Sequence, residues 1–189
     1  MTTPTPTVTV DNGVNLEAVN GARSAFTEMP PAASFVWKAE CEWVSGTQSK
    51  TSVNGFFGMG EEQVRSNGGH TITTDHPEHF ASADAGTTPA ELMLIGLAGC
   101  LSAAVATVAT HRGIQINAVK AIVEGDMDMR GVMGVDADVR NGFSGIRVRF
   151  EVDADATLDE VRALVAQAQK RSVVADVVAN PTSIVVETV

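Results

Sequence analysis

Residues 84–113 read DAGTTPAELMLIGLAGCLSAAVATVATHRG, and the long uncharged run inside them decides the fold. Thr88 is placed to cap a helix, Pro89 takes the first helical position, where its missing N–H costs nothing, and Glu91 stands three residues after the cap. At the far end His111 and Arg112 suit the negative helix terminus, and Gly113 suits a left-handed cap. This punctuation predicts a helix from Pro89 to Arg112, roughly 36 Å long at 1.5 Å per residue. Residues 92–110 carry no charge and are long enough to span a bilayer. More than half of them are Ala, Gly, Ser, Thr or Cys, so the apolar content is thin, and strand-like segments flank the run. A buried central helix is expected rather than a membrane span.

Upstream, Leu16, Val19, Ala22 and Phe26 recur at helical spacing until Pro30 and Pro31 stop the pattern. A short strand is expected at Val8–Val10. From Phe35 to Trp43 the pattern alternates. Phe35, Trp37, Ala39, Cys41 and Trp43 share one face, which reads as a half-buried strand with Cys41 turned inward. Ser45-Gly46 turns the chain, and Thr51–Phe57 reads as the partner strand. Residues 58–70 read as a polar, glycine-rich connection, followed by a strand at Thr71–Thr74 and a loop to residue 87.

Downstream, strands are expected at Ala118–Met129 and Gly145–Val152. Thr157-Leu-Asp-Glu160 is a second capping box, opening a helix whose inner face carries Val161, Leu164, Val165 and Ala168. A break at 170–172, a short helix at Val173–Val178 ended by Pro181, and a closing strand at Ile184–Val186 complete the pattern. The fold class is α+β. Residues 1–34 form an N-terminal extension with a short helix, and 35–189 form the main domain.

The composition is that of a globular chain, with 44% hydrophobic and 19% charged residues. A formal charge of −10 with no basic run disfavours nucleic acid and acidic lipid surfaces as partners. The two cysteines, Cys41 and Cys100, form no CxxC pair or metal-like cluster, and the first residues lack a signal-peptide pattern; the reducing cytoplasm is the expected compartment. No cofactor or metal is expected. His70, Asp75, His76 and His79 read as a solvated polar loop, and Gly55, Gly58 and Gly60 are not spaced as a nucleotide-binding loop.

Chemistry centres on Cys100. Gly96 and Gly99 precede it and Ser102 and Ala103 follow, so another element or a ligand can approach closely. From spacing alone two readings stay open: a packed small hydrophobe, or a reactive thiol.

The run from Asp84 to Cys100 resembles the signature of the OsmC/Ohr superfamily, in which a Pro-x-Glu-Leu-type start leads into a long central helix bearing a cysteine. The order of Gly113-Ile114, a strand, Gly125-Asp126 and Gly131 is similar too, as is the strand ending at Asp153-Ala-Asp-Ala156 before the Thr157 helix. The resemblance covers roughly residues 35–189. It implies an intertwined homodimer with antiparallel sheets wrapped around long central helices. It also implies a peroxiredoxin-like thiol chemistry of oxidative-stress defence, in which Cys100 attacks an organic hydroperoxide and an Arg and a Glu support the thiolate. Arg65 is the candidate for the Arg, because the family's Arg comes from the N-terminal region. Glu91 stands next to Ala90, the position where the hydroperoxide reductases carry their Glu; nine residues before Cys100 on a helix, it faces the opposite way. The family's second, resolving cysteine is matched by Ser172. The chain therefore resembles a branch with the first cysteine only, and an external thiol would restore Cys100. The alternative is a non-catalytic dimer that binds a small apolar molecule near Cys100.

Overall fold

The computed structural model describes residues 10–188. It divides into two compact units, residues 15–93 and residues 94–188 with 10–14. One long helix, α2 (Pro89–His111), runs from the end of the first into the second.

The unit of residues 15–93 opens with α1 (Leu16–Glu28), capped by the Asn15 side chain, which accepts the Ala18 N–H. Two three-stranded antiparallel sheets follow. One orders β1 (Val36–Trp37), β4 (Gly55–Gly58) and β5 (Glu61–Val64), and the other β2 (Glu40–Ser45), β3 (Gln48–Val53) and β6 (His70–Thr74). The expected single strand Phe35–Trp43 is thus two strands in different sheets. Its partner breaks at the same level: Trp37 pairs with Phe56 and Glu40 with Ser52, and Asn54 between them is in neither strand. The expected glycine-rich connection contains β5, because Met59 and Gly60 adopt positive φ and fold the chain back on β4. A Cβ at Gly58 would lie 2.4 Å from the Phe35 ring, so any other residue there would make that ring shift.

The face carrying Cys41 is not half-buried within the chain. Every residue of β2 is exposed, Trp43 by 73%, and Trp37 of β1 by 67%. Phe35, Trp37 and Phe56 cluster, with Phe35 6.0 Å from each of the other two rings and those two 4.7 Å apart. The loop after β6 is held by Asp75, only 1% exposed, which accepts hydrogen bonds from the Thr47 hydroxyl and from the His76 and Ala85 amides. Those bonds account for its buried charge.

In the other unit, α2 packs against a long hairpin and a helix. β7 (Ile116–Asp126) and β8 (Gly145–Ala154) pair antiparallel, joined by a loop containing the short helix α3 (Met129–Val132). α4 (Leu158–Lys170) and α5 (Val173–Ala179) follow. Both expected capping boxes form: the Glu91 amide bonds to the Thr88 hydroxyl at 3.1 Å with Glu91 reaching back to the Thr88 amide, and Thr157 and Glu160 do the same. Gly113 adopts φ +69° as the chain leaves α2. The core joins Val105, Val108 and Ala109 of α2, Ile114, and Leu164 and Ala168 of α4, with Val119 of β7 and Phe150 of β8 against it. Asn12 clasps the corner after α2, donating to the Thr110 hydroxyl and the Ile114 carbonyl and accepting the Ile116 amide.

Two further expectations change. Met129 begins α3 rather than ending β7. Ile184–Val186 forms no strand: the three side chains are 77–87% exposed, and no described residue pairs with them. The strand expected at Val8–Val10 lies mostly outside the described residues, and Val10 is in no strand.

Leu164 is fully buried between α2 and the hairpin. Leu164→Ala is expected to lower the stability of the folded chain by about 2–5 kcal/mol, read by denaturant unfolding, since a cavity remains where the side chain was.

Candidate functional site

On α2 the buried residues Leu97, Leu101, Val105 and Val108 form one stripe, and the exposed residues Ile95, Gly96, Gly99 and Ala103 form another. At about 100° per residue Cys100 falls on the border between them. It is partly buried, with a free thiol. Its sulfur meets the start of α5, where Ser172 is the N-cap.

The geometry of Ser172 is closely constrained. The residue is 2% exposed. Its Oγ accepts the Ala175 N–H at 3.2 Å, and its O–H donates to Cys100 Sγ at 3.1 Å. Burial pushes the Cys100 thiol upward, but the Ser172 hydroxyl and the Val174 and Val173 amides lower it, and the lowering prevails. Those amides are unpaired donors of the first turn of α5, and they favour a thiolate over a thiol.

A cleft of about 250 Å³ opens beside the sulfur, lined by Cys100, Ala103, Ala104, Thr107, Val108 and Arg171. Arg171, at the C-terminus of α4, carried no signal in the sequence; only the turn between α4 and α5 brings it to the cleft. Against α5 lies a second, apolar cavity of about 290 Å³, whose lining includes Leu97, Leu101, Val148, Phe150, Val165 and Val178.

The lining of this cleft includes none of Glu91, Arg65 and Cys41. Glu91 caps the first turn of α2, nine residues before Cys100 and on the opposite side of the helix. Bonds from the Thr88 amide and hydroxyl hold its carboxyl below the usual range. Arg65 directly follows β5 in the other unit; its amide donates to the Asn54 carbonyl, and its Nε is buried with no hydrogen-bond partner among the described residues. Cys41 is exposed on β2, and its thiol is lowered by the Ser49 and Thr51 side chains. This reverses the inward, apolar setting expected from the alternating pattern, because nothing among the described residues covers that face.

The chain matches the family described as OsmC-like protein over residues 82–187, more than half its length. It belongs to the OsmC-like protein family. Among solved structures it is similar to an OsmC-like protein from Mycoplasma pneumoniae, with TM-score 0.59 and 18% identity, covering 76% of this chain and 86% of that one. A structure titled an organic hydroperoxide resistance protein OsmC, from Legionella pneumophila, gives TM-score 0.53 at 18% identity, covering 76% and 88%. An OsmC-like protein of unknown function from Vibrio cholerae gives 0.57 at 12% identity, covering 74% and 91%. At these identities the likeness is one of fold, and it supports an α+β, OsmC-like fold for this member. No curated protein matches the chain.

The position of Ser172 makes a direct test. A sulfur in place of its oxygen would start 3.1 Å from Cys100 Sγ, about 1 Å from disulfide length. Ser172→Cys is expected to form a disulfide between Cys100 and the introduced thiol when treated with one equivalent of oxidant. Peptide mass mapping checks this, and separate free thiols after oxidation would show that the two positions do not meet.

Proposed function

We propose that this OsmC-like protein is a stress-related, single-cysteine thiol peroxidase that reduces organic hydroperoxides. The observation that carries the reading is the polarised Cys100 sulfur, which accepts the Ser172 hydroxyl at 3.1 Å beside an open cleft. The Cys100 thiolate attacks the outer peroxide oxygen and the O–O bond breaks. The alkoxide takes a proton and leaves as the alcohol, and Cys100 remains as a sulfenic acid. Ser172 holds no thiol, so an external thiol restores Cys100. Arg65 is assigned to the site as the Arg that supports the Cys100 thiolate, as the family resemblance implies.

The dimer rests on the exposed stripe of α2. Ile95, Gly96, Gly99 and Ala103 are uncharged, and a Cβ at Gly96 or Gly99 would meet nothing within 4 Å, so a second copy of the helix can approach closely. α2 is long and apolar enough to cross a membrane by length and composition, but its other face forms part of the chain's own core. The dimer is assigned to the cytoplasm, in keeping with the free thiols.

The apolar cavity behind α5 favours a second reading, a non-catalytic dimer that holds a small apolar molecule. Cys100→Ser separates the two. It is expected to abolish hydroperoxide consumption in the presence of dithiothreitol, because a hydroxyl is un-ionised at neutral pH, while costing on the order of 1 kcal/mol of stability or less. A wild-type protein that consumes no hydroperoxide under these conditions would leave the binding reading. Light scattering at micromolar concentration is expected to give twice the chain mass; a folded monomer would remove the dimer.

A further inference from the structure

We infer that the apolar cavity against α5 is a regulatory site: a small, neutral, apolar molecule bound there changes the reactivity of Cys100 by fixing α5. The inference rests on the cavity of the second reading above, adds a coupling to the thiol, and does not depend on hydroperoxide reduction.

The cavity measures about 290 Å³. Its α2 wall is Leu97 and Leu101, both 4% exposed, on the buried stripe of the helix and not on the stripe assigned to a second copy. Val148 and Phe150 of β8 form a second wall, and Ala175 and Val178 of α5 a third. Among the described residues the lining holds no charged side chain, and Gln169 is its one polar member. An apolar cavity of roughly 150 Å³ stays free of water and takes up benzene, and this one is about twice that size. It suits a neutral molecule such as a substituted benzene ring or a short alkyl chain. A charged ligand would lose its hydration there with nothing to replace it.

The wall that meets the ligand also holds the thiol. Ala175 lines the cavity, and its amide donates to the Ser172 oxygen at 3.2 Å. That hydroxyl donates in turn to Cys100 Sγ at 3.1 Å. The α2 wall reaches the same sulfur, because Leu101 is the next residue after Cys100. α5 has 7 residues, well short of the roughly 12–15 that an isolated helix needs in water, so its position is set by what it packs on. An empty cavity leaves Ala175 and Val178 without contact atoms on that side. An occupant bridges them to Leu97 and Leu101 and so holds Ser172 against Cys100. The coupling is reciprocal: whatever strengthens the Ser172–Cys100 contact also tightens the cavity around its ligand.

The test uses the full chain carrying Cys41→Ser, so that Cys100 is the sole thiol, with toluene as the probe. Saturation-transfer NMR reads toluene binding, and the rate of iodoacetamide alkylation at neutral pH reads Cys100. Toluene near its solubility limit is expected to speed alkylation about five-fold, the lower end of the range for coupled sites. Val148→Phe fills the cavity and should abolish both the binding and the acceleration; Val178→Phe takes its place if that variant does not fold. Ser172→Ala should still bind toluene but show no acceleration. Binding with an unchanged or slower alkylation rate overturns the coupling and leaves the binding reading in place. Failure of toluene to bind overturns the inference and the binding reading together. Acceleration that persists in the cavity-filled variant or in Ser172→Ala overturns the route through α5.

Discussion

The Ser172 hydroxyl carries one proton and sits 2% exposed, between a helix that needs a cap and a sulfur that needs a donor. A buried hydroxyl must satisfy its hydrogen bonds within the protein. Its oxygen is committed to the Ala175 amide, so its proton has one direction left, toward Cys100. The same contact starts α5, ties it to the middle of α2, and helps to lower the thiol. Cys100 reactivity and α5 position therefore depend on one another.

The helix that carries Cys100 is constrained on two sides. Leu97, Leu101, Val105 and Val108 are committed to the chain's own packing, while Gly96, Gly99 and Ala103 leave a second side open. Cys100 lies on the border, so it can be supported from the core and still be reached from solution. A position one residue earlier would face the open stripe without the support of α5; one residue later it would be buried with Leu101.

Much of this was legible from residue order. Thr88, Pro89 and Glu91 marked the start of α2 because a capping box and a proline at the first position depend only on neighbours in sequence, and Thr157 and Glu160 marked α4 for the same reason. The alternation in Gly145–Val152 marked β8 as a strand, while its pairing with β7 came only with the structure. What failed depends on the partner of each segment. The alternation of Phe35–Trp43 showed a strand but not that it passes from one sheet to another at Lys38 and Ala39. β5 was hidden because Glu61–Val64 is polar and its register comes from the backbone turn at Met59 and Gly60. Ile184–Val186 has the β-branched composition of a strand but no described neighbour to pair with. At the site, Cys100 and Ser172 were identified by family order, whereas Arg171 was invisible, since an arginine at a helix end has no pattern until the following turn places it.

The account stands or falls on whether the α5 contact lowers the Cys100 thiol. The direct measurement is the pH dependence of iodoacetamide alkylation of Cys100 in the Cys41→Ser protein, with Ser172→Ala beside it. The account predicts a midpoint below the value of about 8.5 for an ordinary thiol, moving upward when the Ser172 hydroxyl is removed. A midpoint at or above the ordinary value, unchanged by Ser172→Ala, would contradict it.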